Sequence, residues 1–159
     1  MRVAMVCLGN ICRSPMAAAV ATELVARAGL SDRVQVESFG TAGYHVGAPI
    51  DPGALAALGR RGWPCEGHRA RRITAADVKA ADLVLVADRS NWADVGRLVT
   101  SDSERSKVRL LRSFDPALAP DGNEVPDPWG GDASDFDHTL GIIEAACYGL
   151  VEQLAAKAR

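Results

Sequence analysis

The chain has 159 residues, 48% of them hydrophobic and 24% charged, with a net charge of −2 and four cysteines. That length supports one domain, residues 1–159, with a sizeable core, and the near-neutral balance offers no broad basic field for nucleic acid. The opening residues MRVAMVCLGN have no signal-peptide pattern and no apolar run reaches the ~18 residues a membrane span needs. With cysteines lacking framework spacing, a cytoplasmic protein is expected; an unusual export route is left open.

The first predicted element is a strand, Val3–Val6, running into Cys7. A short loop containing Gly9 and Asn10 follows, then Arg13, Ser14 and Pro15. From Pro15 to about Ala28 the sequence forms helix readily, with Gly29 as its stop; Ser14 is the expected N-cap and Pro15 the first helical residue. A loop feeding a helix N-terminus aims several backbone N–H groups at one point and binds anions there. Cys7 and Arg13, six positions apart, put a thiol at the base of that cradle and a guanidinium fork on its rim. The same groups favour a nucleophilic thiolate, so the stretch predicts covalent chemistry on a phosphate. Two plainer readings compete. Cys7 could simply end a core strand, or Cys7 and Cys12 could be metal ligands, although Cys65, His68 and Cys147 supply no second close pair. No Gly-Lys-Ser/Thr follows the glycine, which excludes a Walker-type nucleotide loop.

Further elements follow in order. Val34–Ser38 reads as a strand. Pro52 to about Gly59 reads as a helix stopped by Gly62 and Pro64. Thr74-Ala-Ala-Asp77 opens a short helix with a capping box. Leu83–Val86 is a buried strand, Asn91 to about Val99 a helix and Val108–Leu111 a fourth strand. Ser134-Asp-Phe-Asp137 is expected to cap the last helix, whose apolar stripe is Phe136, Leu140, Ile143, Cys147, Leu150 and Leu154. Strands alternating with helices imply an α/β protein: a parallel sheet flanked by helices on both faces, flavodoxin/Rossmann-like, with ligands at the carboxyl ends of the strands. The phosphate loop after strand 1 lies in that position.

Between the fourth strand and the last helix runs a long irregular segment, Arg112–Asp135. Loops of this length in a compact domain are usually functional or disordered. Expelling an aryl oxygen from phosphate calls for a general acid, and Asp115, Asp121, Glu124 and Asp127 all qualify on chemistry alone. Asp115-Pro116 reads as turn chemistry.

CLGNICRSP resembles the signature loop of the low-molecular-weight protein tyrosine phosphatases, bacterial type. SFGTAG (38–43), HRARRIT (68–74), ADRSN (87–91) and VPDPWGG (125–131) extend the likeness along the whole chain. The resemblance implies a four-stranded parallel sheet and a phosphotyrosine phosphatase without metal or organic cofactor. It implies Cys7 as nucleophile, Arg13 as phosphate clamp and Asp127 as general acid, with Pro126 and Pro128 fixing its backbone. Asn10 matches an asparagine in a left-handed conformation, which Asn tolerates, with Ser14, Ser38 and His68 as its hydrogen-bond partners. Read without the family, His68 is a surface histidine among arginines. Ser14 also matches a hydroxyl that donates to the nucleophile. Gly9 lies in the loop itself, Leu8 and Ile11 match positions flanking the substrate, and Cys12 matches a second cysteine able to form a disulfide with the nucleophile. Asp88 and Asn91 match too, with a supporting structural role expected.

The chain departs from the family at the pocket mouth. Trp129 and Gly130 stand where the family commonly has two tyrosines, and Tyr44, beside His45, where it often has tryptophan. Tyr44 and Trp129 remain aromatic walls suited to aryl phosphates, whereas regulation through the second tyrosine is not expected. The implied partners are phosphotyrosine-containing proteins, with a bacterial tyrosine kinase as a candidate further partner; no nucleic acid or membrane is implied, and a monomer is expected. An arsenate reductase of the same fold is the alternative enzyme, but Cys65 and Cys147 are too isolated to relay a disulfide. An inactive phosphotyrosine-binding module is the non-enzymatic alternative.

Overall fold

Four short apolar runs punctuated by helix-forming segments produce a sheet wrapped on both faces. The computed structural model describes residues 1–118 and 123–159. Strands β1 (Arg2–Cys7), β2 (Gln35–Gly40), β3 (Leu83–Val86) and β4 (Val108–Leu110) form one sheet in the order β2-β1-β3-β4. All neighbours are parallel; Met5 lies opposite Ser38 on one side and Leu85 on the other. Helices α1 (Arg13–Arg27), α2 (Pro52–Arg60), α3 (Ala75–Ala80), α4 (Arg89–Gly96), α5 (Asp102–Arg105) and α6 (Ala133–Lys157) complete the fold. The order reverses at β1, which opens a crevice beyond its carboxyl end.

The pleat of β1 divides its side chains between two cores, because successive residues point to opposite faces. Val3, Met5 and Cys7 face α1, α2 and α6, joining Met16, Val20, Leu58, Leu140 and Ile143. Ala4 and Val6 face the smaller core, with Val78, Val84, Val86 and Val95 of the α3–α4 side. Cys7 is therefore aimed at the face that α1 covers. Helix α6 packs closely there: a Cβ on Gly149 would collide with the Phe114 carbonyl.

Helix starts differ from expectation in three places. Helix α1 begins at Arg13, with Cys12 as N-cap and no side-chain capping bond, so Ser14 is inside the helix rather than its cap. Its hydroxyl is occupied elsewhere, as described below, and Pro15 fits because first-turn N–H groups need no intrahelical partner. Helix α6 is capped by Asp132 with Asp135 in a capping box, not by Ser134 and Asp137; Ser134 Oγ donates to Asp132 at 2.6 Å and Asp137 pairs with Arg60 at 2.6 Å. Helix α4 starts before Asn91 because Asp88 and Asn91 form a reciprocal capping box. The Thr74–Asp77 capping box opens α3 as expected. The single turn α5 was not anticipated, and β4 ends at Leu110, where the chain tightens into a 3-10 turn, Leu111–Phe114.

Candidate active site

Beyond the end of β1 the chain winds through residues 8–12 into α1. Asn10 adopts φ 57°, the left-handed region that a short polar side chain tolerates. Its side chain, fully buried, secures the turn: Nδ2 donates to Ser14 Oγ (2.8 Å) and Ser38 Oγ (3.0 Å), and Oδ1 accepts the Arg71 N–H (2.9 Å). The His68 Nε2–H donates to the Asn10 carbonyl at 2.7 Å, and burial holds that imidazole below its ordinary range, favouring the neutral ring. Gly40 completes the support from β2, since a Cβ there would come within 2.7 Å of the Leu8 carbonyl.

Ser14 links this scaffold to the sulfur. Its Oγ lies 3.0 Å from Cys7 Sγ and already accepts from Asn10, so its own O–H is free to donate to sulfur and stabilise negative charge there. Cys12 contrasts with it: burial first, then Asp51 and Asp127, push its thiol up, so it stays protonated. Both cysteines are free thiols.

Arg13 is 4% exposed, and a guanidinium that deep needs partners. Nη1 donates to Asp88 Oδ2 at 2.6 Å and to the Val125 carbonyl at 3.0 Å, while Nη2 lies 3.7 Å from Asp127 Oδ2. The fork is thus oriented by Asp88, the α4 cap, and by the loop preceding Asp127. Asp127 Oδ1 accepts the Trp129 N–H at 3.1 Å, an Asx turn that tips the carboxylate toward the cradle.

These elements enclose a cavity of about 200 Å³ with Cys7, Cys12 and Arg13 at its base and Leu8, Gly9 and Ile11 around it. Tyr44, His45 and Trp129 form its walls and Asp127 borders it. Tyr44 and Trp129 are 77% and 63% exposed, so both rings stand free at the mouth. The loop predicted as phosphate-binding and the distant Asp127, Tyr44 and Trp129 are therefore brought together. Asn10, Ser14 and Ser38, by contrast, lie behind the loop, where their side chains shape it rather than line the cavity. Of the other acid candidates, Asp115 accepts the Ala117 N–H in a turn and Glu124 accepts the Arg89 N–H; Asp121 lies outside the described residues. Cys147 is buried in the core and Cys65 lies on a separate surface groove with Pro64 and His68. Among the described residues, no three His, Cys, Asp or Glu side chains gather as a metal site.

Asp88 takes the supporting role expected of it, as the closest partner of Arg13, whereas His45 has no role assigned in the sequence. His45 packs on the loop so closely that a Cβ on Gly9 would lie 2.9 Å from its Cδ2; its adjacency to Tyr44 was the available signal.

A family model described as low molecular weight phosphotyrosine protein phosphatase matches residues 2–159. A low molecular weight protein-tyrosine-phosphatase of Streptomyces coelicolor is 42% identical, the match covering 94% of this chain and 91% of that protein. Among solved structures, a protein tyrosine phosphatase from Entamoeba histolytica, holding Hepes in its active site, superposes with a TM-score of 0.92 at 28% identity, covering 100% of this chain and 99% of its own. The YwlE arginine phosphatase, in a form whose active-site serine is phosphorylated, gives a TM-score of 0.84 at 28% identity, covering 97% of this chain and 95% of its own.

Proposed function

The chain belongs to the low molecular weight phosphotyrosine protein phosphatase family, and on that footing we propose that Cys7, Arg13 and Asp127 carry its reaction. The chain is a protein tyrosine phosphatase acting on phosphoproteins; the assignment of roles is ours. In the first step the Cys7 thiolate attacks phosphorus in line with the tyrosyl oxygen. Arg13 and the N–H groups of residues 8–14 hold the three equatorial oxygens, on which charge builds. Asp127 protonates the departing phenolic oxygen, then acts as base for the water that cleaves the phosphocysteine. Tyr44 and Trp129 flank the ring of the bound residue, with Leu8 and Ile11 making apolar contacts.

The observation that carries this reading is the convergence of Cys7, Arg13 and Asp127 on one cavity, with the Ser14 hydroxyl on the sulfur. The test is turnover of phosphotyrosine, phosphoserine and phosphoarginine peptides under excess chelator. Phosphotyrosine is expected to be the preferred substrate by far. Phosphoarginine as the better substrate would overturn the aryl specificity, and binding without turnover would mean an inactive reader. The arsenate reductase alternative is not favoured, since neither Cys65 nor Cys147 lines the cavity. The reading extends to a cytoplasmic monomer working opposite a bacterial tyrosine kinase; four free thiols suit such a compartment, and among the described residues no helix is long and apolar enough to cross a membrane.

The two thiols at the cavity base carry a redox expectation. A nucleophilic thiolate is the first group peroxide attacks, giving a sulfenic acid that a neighbouring thiol condenses with, releasing water. Cys12, which lines the same cavity base, is placed to be that thiol and gives up its proton as its sulfur attacks. Peroxide is expected to inactivate the enzyme reversibly through a Cys7–Cys12 disulfide, read by mass spectrometry before and after reductant. Equal conversion of Cys7 to sulfonic acid in wild type and Cys12→Ser would refute protection by Cys12.

A further inference from the structure

The segment before Asp127 has little backbone of its own with which to hold still. Pro126 and Pro128 lack N–H groups, so the Val125–Pro126 and Asp127–Pro128 peptides have no amide donor with which to anchor the segment. The anchors come instead from other elements, one to each successive carbonyl. Arg112 Nη1 donates to the Glu124 carbonyl (3.2 Å), Arg13 Nη1 to the Val125 carbonyl (3.0 Å) and Thr139 Oγ1 to the Pro126 carbonyl (3.2 Å), while the Val125 N–H donates to Ala87 of the β3–α4 junction (2.8 Å).

The last of these matters most for the acid. The Pro126 carbonyl and the Asp127 nitrogen belong to one rigid peptide plane, so fixing that oxygen fixes the plane from which the Asp127 side chain departs. Thr139 is 1% exposed and sits beside the apolar stripe of α6. A valine of the same shape would pack there without the cost of burying a hydroxyl. Helical threonine ordinarily bonds back to a carbonyl of its own helix; this one reaches out of α6 to the acid loop.

We infer that Thr139 is a positioning residue for the general acid, acting through the Pro126 carbonyl on the Asp127 carboxylate. The inference rests on Asp127 being the acid. Its signature is dependence on the leaving group, because a misplaced acid matters only where the departing oxygen needs a proton.

The experiment measures single-turnover rates of enzyme phosphorylation for a phosphotyrosine peptide and for p-nitrophenyl phosphate, together with vanadate affinity. Thr139→Val is expected to lose roughly tenfold on phosphotyrosine, the scale of one buried hydrogen bond, and clearly less on p-nitrophenyl phosphate. Vanadate affinity is expected to be unchanged, and Thr139→Ser, which keeps the hydroxyl, to restore most of the rate. Adding Thr139→Val to Asp127→Asn is expected to cost nothing further, since both act through one group. Equal losses on both substrates, or no loss on either, overturn the inference. If Thr139→Val does not fold, the same comparison is made with Thr139→Ala, judged by the same criteria. Leaving-group dependence in Asp127→Asn but not in the Thr139 variants removes Thr139 alone; its absence in Asp127→Asn removes the assignment of the acid itself.

Discussion

Cys7→Ser is expected to abolish turnover while leaving anion binding intact. A phosphoserine, once formed, expels its alkoxide far more slowly than a phosphocysteine expels its thiolate, and a serine hydroxyl far less readily forms the attacking anion. The Ser14 hydroxyl, poised 3.0 Å from the sulfur, donates and so cannot act as base to generate one. The cradle itself is backbone plus Arg13, whose guanidinium is held by Asp88 and the Val125 carbonyl and does not depend on residue 7. Turnover is expected to fall by at least a thousandfold, given the scale of losses on removing a nucleophile, with vanadate or phosphate still bound by calorimetry. Retention of more than about a thousandth of wild-type activity would exclude the covalent route.

Asp127→Asn carries the second large effect. Asparagine keeps the oxygen that accepts the Trp129 N–H and so preserves the Asx turn, but it has no proton to give. Tyrosyl oxygen, with a pKa of about 10, leaves poorly without one, whereas nitrophenolate is far less basic. The phosphorylation step on phosphotyrosine is expected to slow by roughly 10²–10⁴-fold, with a clearly smaller loss on p-nitrophenyl phosphate. Single-turnover rates are needed because Asp127 also serves in the hydrolysis step common to both substrates. Equal losses for the two leaving groups would move the proton donor away from Asp127, and Glu124 would be the next residue to replace.

What could be read from the sequence divides along the distance between residues. The strand, loop and helix from Val3 to Ala28 are local, and Cys7 and Arg13 fall where their spacing predicts, while Asn10 takes the left-handed turn that the family resemblance implies. Ser14 shows how a local rule fails. Serine before proline reads as an N-cap, yet its hydroxyl is claimed by Cys7 and Asn10, so the helix begins two residues earlier without a side-chain cap. The same competition misplaced the start of α6, where Asp132 rather than Ser134 faces the free amides. Partners far apart in the chain were harder still. Asp88 meets Arg13 because β3 lies beside β1, and Thr139 meets Pro126 because α6 packs under the acid loop; neither is encoded in any spacing. Gly130 is intermediate. The missing second tyrosine was visible, but not that the residue adopts φ 79° in a turn closed by the Gly131 N–H on the Pro128 carbonyl (2.9 Å), where any side chain would be strained.

The tethered loop has a consequence for inhibition. A catalytic segment that must first close from an open state taxes every ligand by the fraction of molecules already closed, so apparent affinity falls below the intrinsic one. Here Glu124, Val125 and Pro126 are each clasped from a different part of the fold, and Asp127 stands beside Arg13. An aryl phosphonate fitted to this cleft would meet its binding geometry ready-made. Its affinity would be set by the fit of ring and anion, and its association rate by encounter rather than by a wait for rearrangement.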